Sequence, residues 1–143
     1  MPRSYPDRPM VGVGAVVFKG RQVLLIRRGK QPRLGEWSLP GGLQELGETV
    51  FEAAAREIME ETAVTIGDIG VIDIVDSIQH DDAGRVRFHY TLIDVVAEWR
   101  GGEPTAGTDA MHAEWIAPER LDAMDLWSET RRIIAEARRM RGR

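Results

Sequence analysis

The stretch from Pro40 to Val64 limits what this chain can fold into more than any other. Its second half places Phe51, Ala54, Ala55 and Ile58 at i, i+3, i+4 and i+7, the spacing of a helix that buries one stripe. Thr49, followed three residues later by Glu52, can form a capping box, and Glu48 adds negative charge at the positive end of the helix dipole. Together these signals predict a helix from Thr49 to about Thr62. Glu57, Glu60 and Glu61 then project within about 100° of one another, away from the apolar stripe. Like charges at i+3 and i+4 each cost a helix roughly 0.2–0.5 kcal/mol, so the trio is either a solvated acidic face or a site. Two features favour a site. Ala53 leaves room one turn earlier on the carboxylate side, and Gly41, Gly42 and Gly47 mark a glycine-rich loop, where backbone can approach a ligand closely. Carboxylates beside such a loop are hard oxygen donors that suit Mg²⁺ or Mn²⁺ carrying substrate phosphates.

The same residues resemble the signature of the Nudix hydrolases. Gly42, five residues, Glu48, seven residues, Arg56-Glu57-Ile58, one residue, Glu60-Glu61, one residue, then Ala63-Val64 follow its spacing. Ala63 departs from it, standing where the family usually has glycine, just past the helix at the αL cap. The resemblance implies an α/β fold, an α/β/α sandwich with a central mixed β-sheet over residues 10–143, and Met1 to Pro9, with three prolines, reads as a loose arm before it. It also implies hydrolysis of a diphosphate linkage with divalent cations, Mg²⁺ first and Mn²⁺ as substitute. By the same resemblance Glu57 and Glu61 are the primary metal ligands, with Glu60 contributing and the Gly41 carbonyl completing the site. Arg56 would pair with Glu48 to hold loop and helix together, unless it is an ordinary surface partner of its helical neighbours. The general base would be Glu61, Asp109 or Glu103, in that order of preference.

Outside the signature the signals are of strands and turns. Val11 to Phe18 and Val23 to Arg27 are β-branched runs around Lys19-Gly20-Arg21, a hairpin. Val71 to Gln79 and Val86 to Trp99 read as two further strands joined at Asp81-Asp82-Ala83-Gly84, with Val86, Phe88, Tyr90 and Leu92 alternating on one face. Ala113 to Ile116 reads as a short strand, Pro118 to Leu121 as a helical turn, and Ser128 as the cap of a final helix that turns Ile133, Ile134 and Ala137 inward. Its arginines, Arg131, Arg132, Arg138, Arg139, Arg141 and Arg143, read as the solvated face and frayed end of that helix.

Composition narrows the function. A net charge of −4 argues against an electrostatic clamp on long nucleic acid, though not against a small nucleotide arriving with divalent cations. With no cysteine there is no disulfide, thiolate metal site or cysteine nucleophile, which excludes an isopentenyl diphosphate isomerase of the same fold. No apolar run is long enough for a membrane span and no signal-peptide pattern is present, so the expectation is cytoplasmic. For the substrate, Gly35 to Gly42, Gly101-Gly102-Glu103-Pro104 and Glu114-Trp115 resemble the bacterial ADP-ribose pyrophosphatase-like branch, while MutT-type nucleoside triphosphate pyrophosphohydrolases share much of this. The basic run Arg27, Arg28, Lys30 and Arg33 can reach phosphates or a base, or be a solvated loop. Trp37, Phe88 and Tyr90 can stack on a base or belong to the core. The substrate-binding candidates are thus Arg27, Arg28, Trp37, Gly42 and Glu103. ADP-ribose is the leading substrate expectation, a MutT-like triphosphate hydrolase the alternative, and a non-catalytic nucleotide sensor the reading of another class. The resemblance adds a homodimer by analogy.

Overall fold

The computed structural model describes residues 3–31, 33–107 and 110–142. Among these described residues seven strands form one sheet: β1 (Met10–Lys19), β2 (Gln22–Arg28), β3 (Trp37–Ser38), β4 (Gly41–Leu43), β5 (Thr65–His80), β6 (Val86–Gly101) and β7 (Ala110–Ile116). Three helices accompany them: α1 (Val50–Thr62), α2 (Pro118–Ala123) and α3 (Ser128–Arg141). The main path through the sheet runs β3-β2-β1-β6-β5, with β4 paired to β1 and β7 to β2. β1 and β6 are parallel and the other pairs antiparallel, so the sheet is mixed.

β1 is almost continuously apolar because both its faces are covered. Val16 and Phe18, with Val23 and Leu25 of β2, pack against Leu121 of α2 and Ile133, Ile134 and Ala137 of α3. Ala15 and Val17, with Leu24 of β2, face the other way, onto Ala54 and Ile58 of α1. The result is the expected α/β/α sandwich. Among the described residues no helix is long and apolar enough to cross a membrane.

α1 is capped as its sequence requires. The Thr49 hydroxyl accepts from the Glu52 N–H while the Glu52 carboxylate accepts from the Thr49 N–H. The buried stripe, however, is rotated from the expected one. Phe51 is 41% exposed, Ala55 is half-buried, and Ala53, Ala54, Ile58 and Glu61 are buried. Adjacent alanines at 53 and 54 let the helix close onto the sheet and β4, carrying the carboxylate side inward with it. At its exit Ala63 adopts φ 63°, the left-handed conformation glycine normally supplies, and its N–H reaches the Met59 carbonyl. The cap geometry is kept despite the substitution.

Several strands outrun their expected limits. β5 begins at Thr65 rather than Val71, held by β6 from Gly101 inward through four register shifts. The arm is not loose where it is described: the Tyr5 N–H donates to the Arg87 carbonyl at 2.7 Å and its hydroxyl to Asp81 at 2.9 Å. Ser128 does not cap α3. It is the first helical residue, and the cap position falls to Trp127 with no side-chain bond. Nor are the described arginines of α3 simply a solvated face. Arg131 donates to the Leu121 and Met124 carbonyls, Arg138 to the Arg21 carbonyl, and Arg141 to the Gly20 carbonyl and to Glu98. Arg143 lies outside the described residues.

Candidate active site

A cavity of about 170 Å³ opens where β4 meets β1 and α1, and runs across the sheet toward the start of α3. Missing side chains create it. Gly12 and Gly14 of β1 stand beside Leu92 and Asp94 of β6, and a Cβ would lie only 2.8 Å from a Leu92 methyl at the first and 2.7 Å from the Asp94 carboxylate at the second. Gly14 also pairs with Gly41, and Val13 with Gly42. Glycines on neighbouring strands thus thin the sheet where α1 brings its carboxylates up to it.

Arg56 is the hub of the α1 side. Its Nε and Nη2 donate to the two oxygens of Glu48 at 2.6 and 2.9 Å, a bidentate pair, and Nη2 also donates to the Leu43 carbonyl at 2.9 Å. Nη1 donates to Glu57 at 2.7 Å and Glu60 at 3.1 Å. One guanidinium therefore ties β4, the turn before α1 and two helix carboxylates together. The bidentate bond from Arg56, with the Glu45 N–H, holds the Glu48 carboxyl below the usual range, and the surrounding carboxylates raise the Arg56 guanidinium further. Glu57 lies so close to Gly42 that a Cβ there would overlap its carboxylate. Glu61 is buried and accepts from the Gly41 N–H at 3.2 Å.

Glu57, Glu61, Gly41 and Gly42 all line the cavity, whereas Glu60 does not, its side chain being 59% exposed. As donors the three carboxylates suit a hard divalent cation, and two of them face the cavity from adjacent turns of one helix. Among the described residues no three acidic or histidine side chains converge closely enough to hold a metal as they stand. The fit lies in the donor chemistry, with Arg56 and the Gly41 N–H occupying oxygens that a cation would share.

The opposite wall is basic and aromatic. A register shift in the β2–β7 pairing falls between Arg27 and Arg28, the kind of irregularity that re-aims side chains. Arg28 lines the cavity, while Arg27 is exposed outside it and donates to the Gly35 carbonyl at 3.0 Å. Burial lowers the Arg28 guanidinium, with Glu61 and Tyr90 acting against that and Arg3 and Arg33 adding to it. Lys30, Arg33 and Trp37 also face the cavity. Arg33 lies 4.0 Å from the ring centre of Trp127, which joins the wall at the start of α3. Tyr90 lines the floor with its buried hydroxyl lacking a partner among the described residues, whereas Phe88 is a core residue beside Met10.

Asp94 was not foreseen. It is 6% exposed on the cavity floor, between Gly14 and Asp73 of the neighbouring strands, with no hydrogen bond to a described residue. Burial pushes its carboxyl up to about 7, with Asp73 and Glu129 adding to the effect and Arg132 opposing it. The sequence did hold a signal. Gly12 and Gly14 share a strand face, and an aspartate interrupts the apolar run Leu92-Ile93-Asp94-Val95-Val96. Arg3 and Trp127 carried no comparable local sign. Of the other expected site residues, Glu103 is exposed in the loop after β6 and does not line the cavity. That loop closes over the end of α1 through Thr105 N–H to the Thr62 carbonyl and Gly107 N–H to the Glu61 carbonyl. Asp109 lies outside the described residues.

The chain is similar in sequence and in fold to known proteins. An ADP-ribose pyrophosphatase of Methanocaldococcus jannaschii is 39% identical over 108 residues, 76% of this chain. The chain spans only 62% of that relative's length, and 55% of a second relative's, from Bacillus subtilis. A Mycobacterium tuberculosis protein provisionally named 8-oxo-dGTP diphosphatase 2 is 35% identical over 132 residues, covering 91% of this chain and 88% of its own. Among solved structures, the MutT NUDIX hydrolase of Burkholderia pseudomallei superposes with a TM-score of 0.77 at 30% identity, over 91% of this chain and 98% of that one. The NUDIX domain description matches residues 8–137, and the chain belongs to that family.

Proposed function

We propose that the protein hydrolyses the diphosphate linkage of a nucleoside diphosphate derivative, and that its substrate is an ADP-sugar such as ADP-ribose. The observation that carries this reading is the pairing of acidic and basic cavity walls, with Glu57 and Glu61 on one side and Arg28 on the other. A diphosphate is densely anionic, so the basic wall and the glycine backbone orient it, while the carboxylates hold the cation it brings. A divalent cation there, Mg²⁺ or Mn²⁺ in its place, offsets charge on the phosphates and lowers the pKa of a bound water. The residues that would hold it are Glu57 and Glu61, with Glu60 and the Gly41 carbonyl.

Glu61 is the general base in this reading, because it is the base candidate that faces the cavity among the described residues. Water adds to phosphorus, its proton passes to Glu61, the bridging P–O bond breaks, and AMP and the sugar phosphate leave. Arg56 does not line the cavity. It positions Glu57 from one side while Glu48 fixes it from the other.

A second reading has its own support. The Mycobacterium tuberculosis relative, matched over most of both chains, favours a MutT-like hydrolase that releases pyrophosphate from a nucleoside triphosphate. A turnover screen with Mg²⁺ and with Mn²⁺, over ADP-ribose, other nucleoside diphosphate sugars and canonical or oxidised triphosphates, separates the two. AMP from ADP-ribose without pyrophosphate supports the first, and pyrophosphate from a triphosphate the second. Nucleotide binding without turnover of any compound would make the protein a sensor and overturn both.

A further inference from the structure

The N-terminal arm enters the cavity. Its anchor is Tyr5, whose N–H donates to the Arg87 carbonyl at 2.7 Å and whose hydroxyl donates to Asp81 at 2.9 Å. The Arg85 guanidinium lies 4.7 Å from the Tyr5 ring centre and bonds the same Asp81. Asp81 is itself fixed by the Ala83 and Arg85 N–H groups at 2.9 Å, so the β5–β6 turn is a rigid receptor for the tyrosine. Tyr5 adopts φ 51°, a conformation that costs an L-residue about 1–2 kcal/mol and is kept only where its surroundings impose it. There the backbone turns, and Arg3, two residues earlier, lines the cavity beside Arg28.

That placement leaves a guanidinium at the cavity with its donors open to a ligand. Arg3 is half-buried and makes no hydrogen bond or ion pair with a described residue. It lines the cavity together with Arg28, Lys30 and Arg33, with Glu36 and Glu61 in the same lining. A phosphate entering between these cations is attracted by each of them, and guanidinium groups bind phosphate with two directed bonds.

We propose that Arg3 is a substrate-binding residue, delivered by the Tyr5 anchor to contact a phosphate of the nucleotide in the cavity mouth. The inference deepens the diphosphate reading above and rests on it for the identity of the substrate, but not for the existence of the phosphate contact. It makes the arm a part of the site that helps set how much negative charge the substrate carries.

The test uses the full chain with Mg²⁺ and titrates inorganic pyrophosphate and ADP-ribose by calorimetry, with steady-state kinetics alongside. Arg3→Gln should weaken binding of both ligands by about tenfold, and raise KM by a like factor with kcat little changed. Tyr5→Ala should act in the same direction, and the double variant should be no worse than Arg3→Gln alone, because anchor and guanidinium act as one unit. Arg8→Gln is the control: Arg8 sits on the same arm, 72% exposed and paired with Asp7, and its loss should leave binding unchanged. Wild-type affinity in Arg3→Gln, an equal loss in Arg8→Gln, or additive losses in the double variant would each overturn the proposal. If ADP-ribose is neither bound nor cleaved, the substrate reading fails, and the pyrophosphate titration still decides the role of Arg3.

Discussion

Asp94 works against the folded state at neutral pH. Its carboxyl titrates near 3.8 when solvated and near 7 in the fold, where burial disfavours the charge. Between those values the folded protein binds more protons than the unfolded chain, so stability falls as pH rises through the window and is lowest above it. Fully expressed, the difference amounts to about 4 kcal/mol. Asp94→Asn, which keeps the shape without the charge, should therefore raise unfolding stability by about 2–4 kcal/mol at pH 8 and change it little at pH 4. Urea denaturation across that range checks this, and parallel pH curves for the two proteins would refute it. Glu57 poses the opposite case, a charge the site needs. Glu57→Gln relieves repulsion from Glu60 and Glu61 and should fold normally, yet turnover should drop a hundredfold or more, about 3 kcal/mol in the barrier. Near-normal turnover at saturating Mg²⁺ would remove Glu57 from the chemistry.

At the scale of the element, α1 was the most legible part of the chain, because its signals are local, whereas Gly41 and Gly42, read as a loop, form β4 against β1. The capping box and the 3.6-residue period fall within one continuous stretch, and the cap is a contact made inside that stretch. What local signals could not give was the helix's rotation, since burial of Ala53 and Glu61 and exposure of Phe51 depend on how β4 and the sheet meet it. Three substitutions probe this region. Ala63 holds a left-handed cap that costs an L-residue about 1 kcal/mol, so Ala63→Gly should stabilise the protein by about that amount with turnover unchanged. Gly41 and Gly42 should respond differently to alanine. At Gly41 the new methyl would overlap the Val13 carbonyl, which is backbone, and the fold should suffer. At Gly42 it would overlap the Glu57 carboxylate, which can swing aside, so stability should survive while turnover falls. Thermal melts beside kinetics distinguish them, and equal stability losses would mean that Glu57 is as immobile as the strand.

Across the whole molecule, the features least visible in the sequence join segments far apart in it. Gly14 and Asp94 meet through the parallel β1–β6 pairing, and neither identifies the other without it. The C-terminal arginines show the same limit. In sequence they are a basic run on the outer face of an amphipathic helix, the pattern of a solvated surface. In the fold Arg141 spans from α3 to Glu98 on β6 and to the Gly20 carbonyl in the β1–β2 turn, and Arg131 gathers the Leu121 and Met124 carbonyls at the end of α2. α2 lacks a side-chain cap at its start, so Arg131 secures the end that leads into Trp127 and the cavity wall. A charged donor serving partly buried carbonyls contributes about 1.5–3 kcal/mol, while an exposed pair one helical turn apart contributes under about 0.5 kcal/mol. Arg131→Ala should therefore destabilise the protein by about 2 kcal/mol, and Arg139→Ala, which loses only an exposed pair with Glu136, by a few tenths at most. Chemical denaturation of the two variants side by side decides the matter. Equal, small losses would return the whole run to the role of a solvated face.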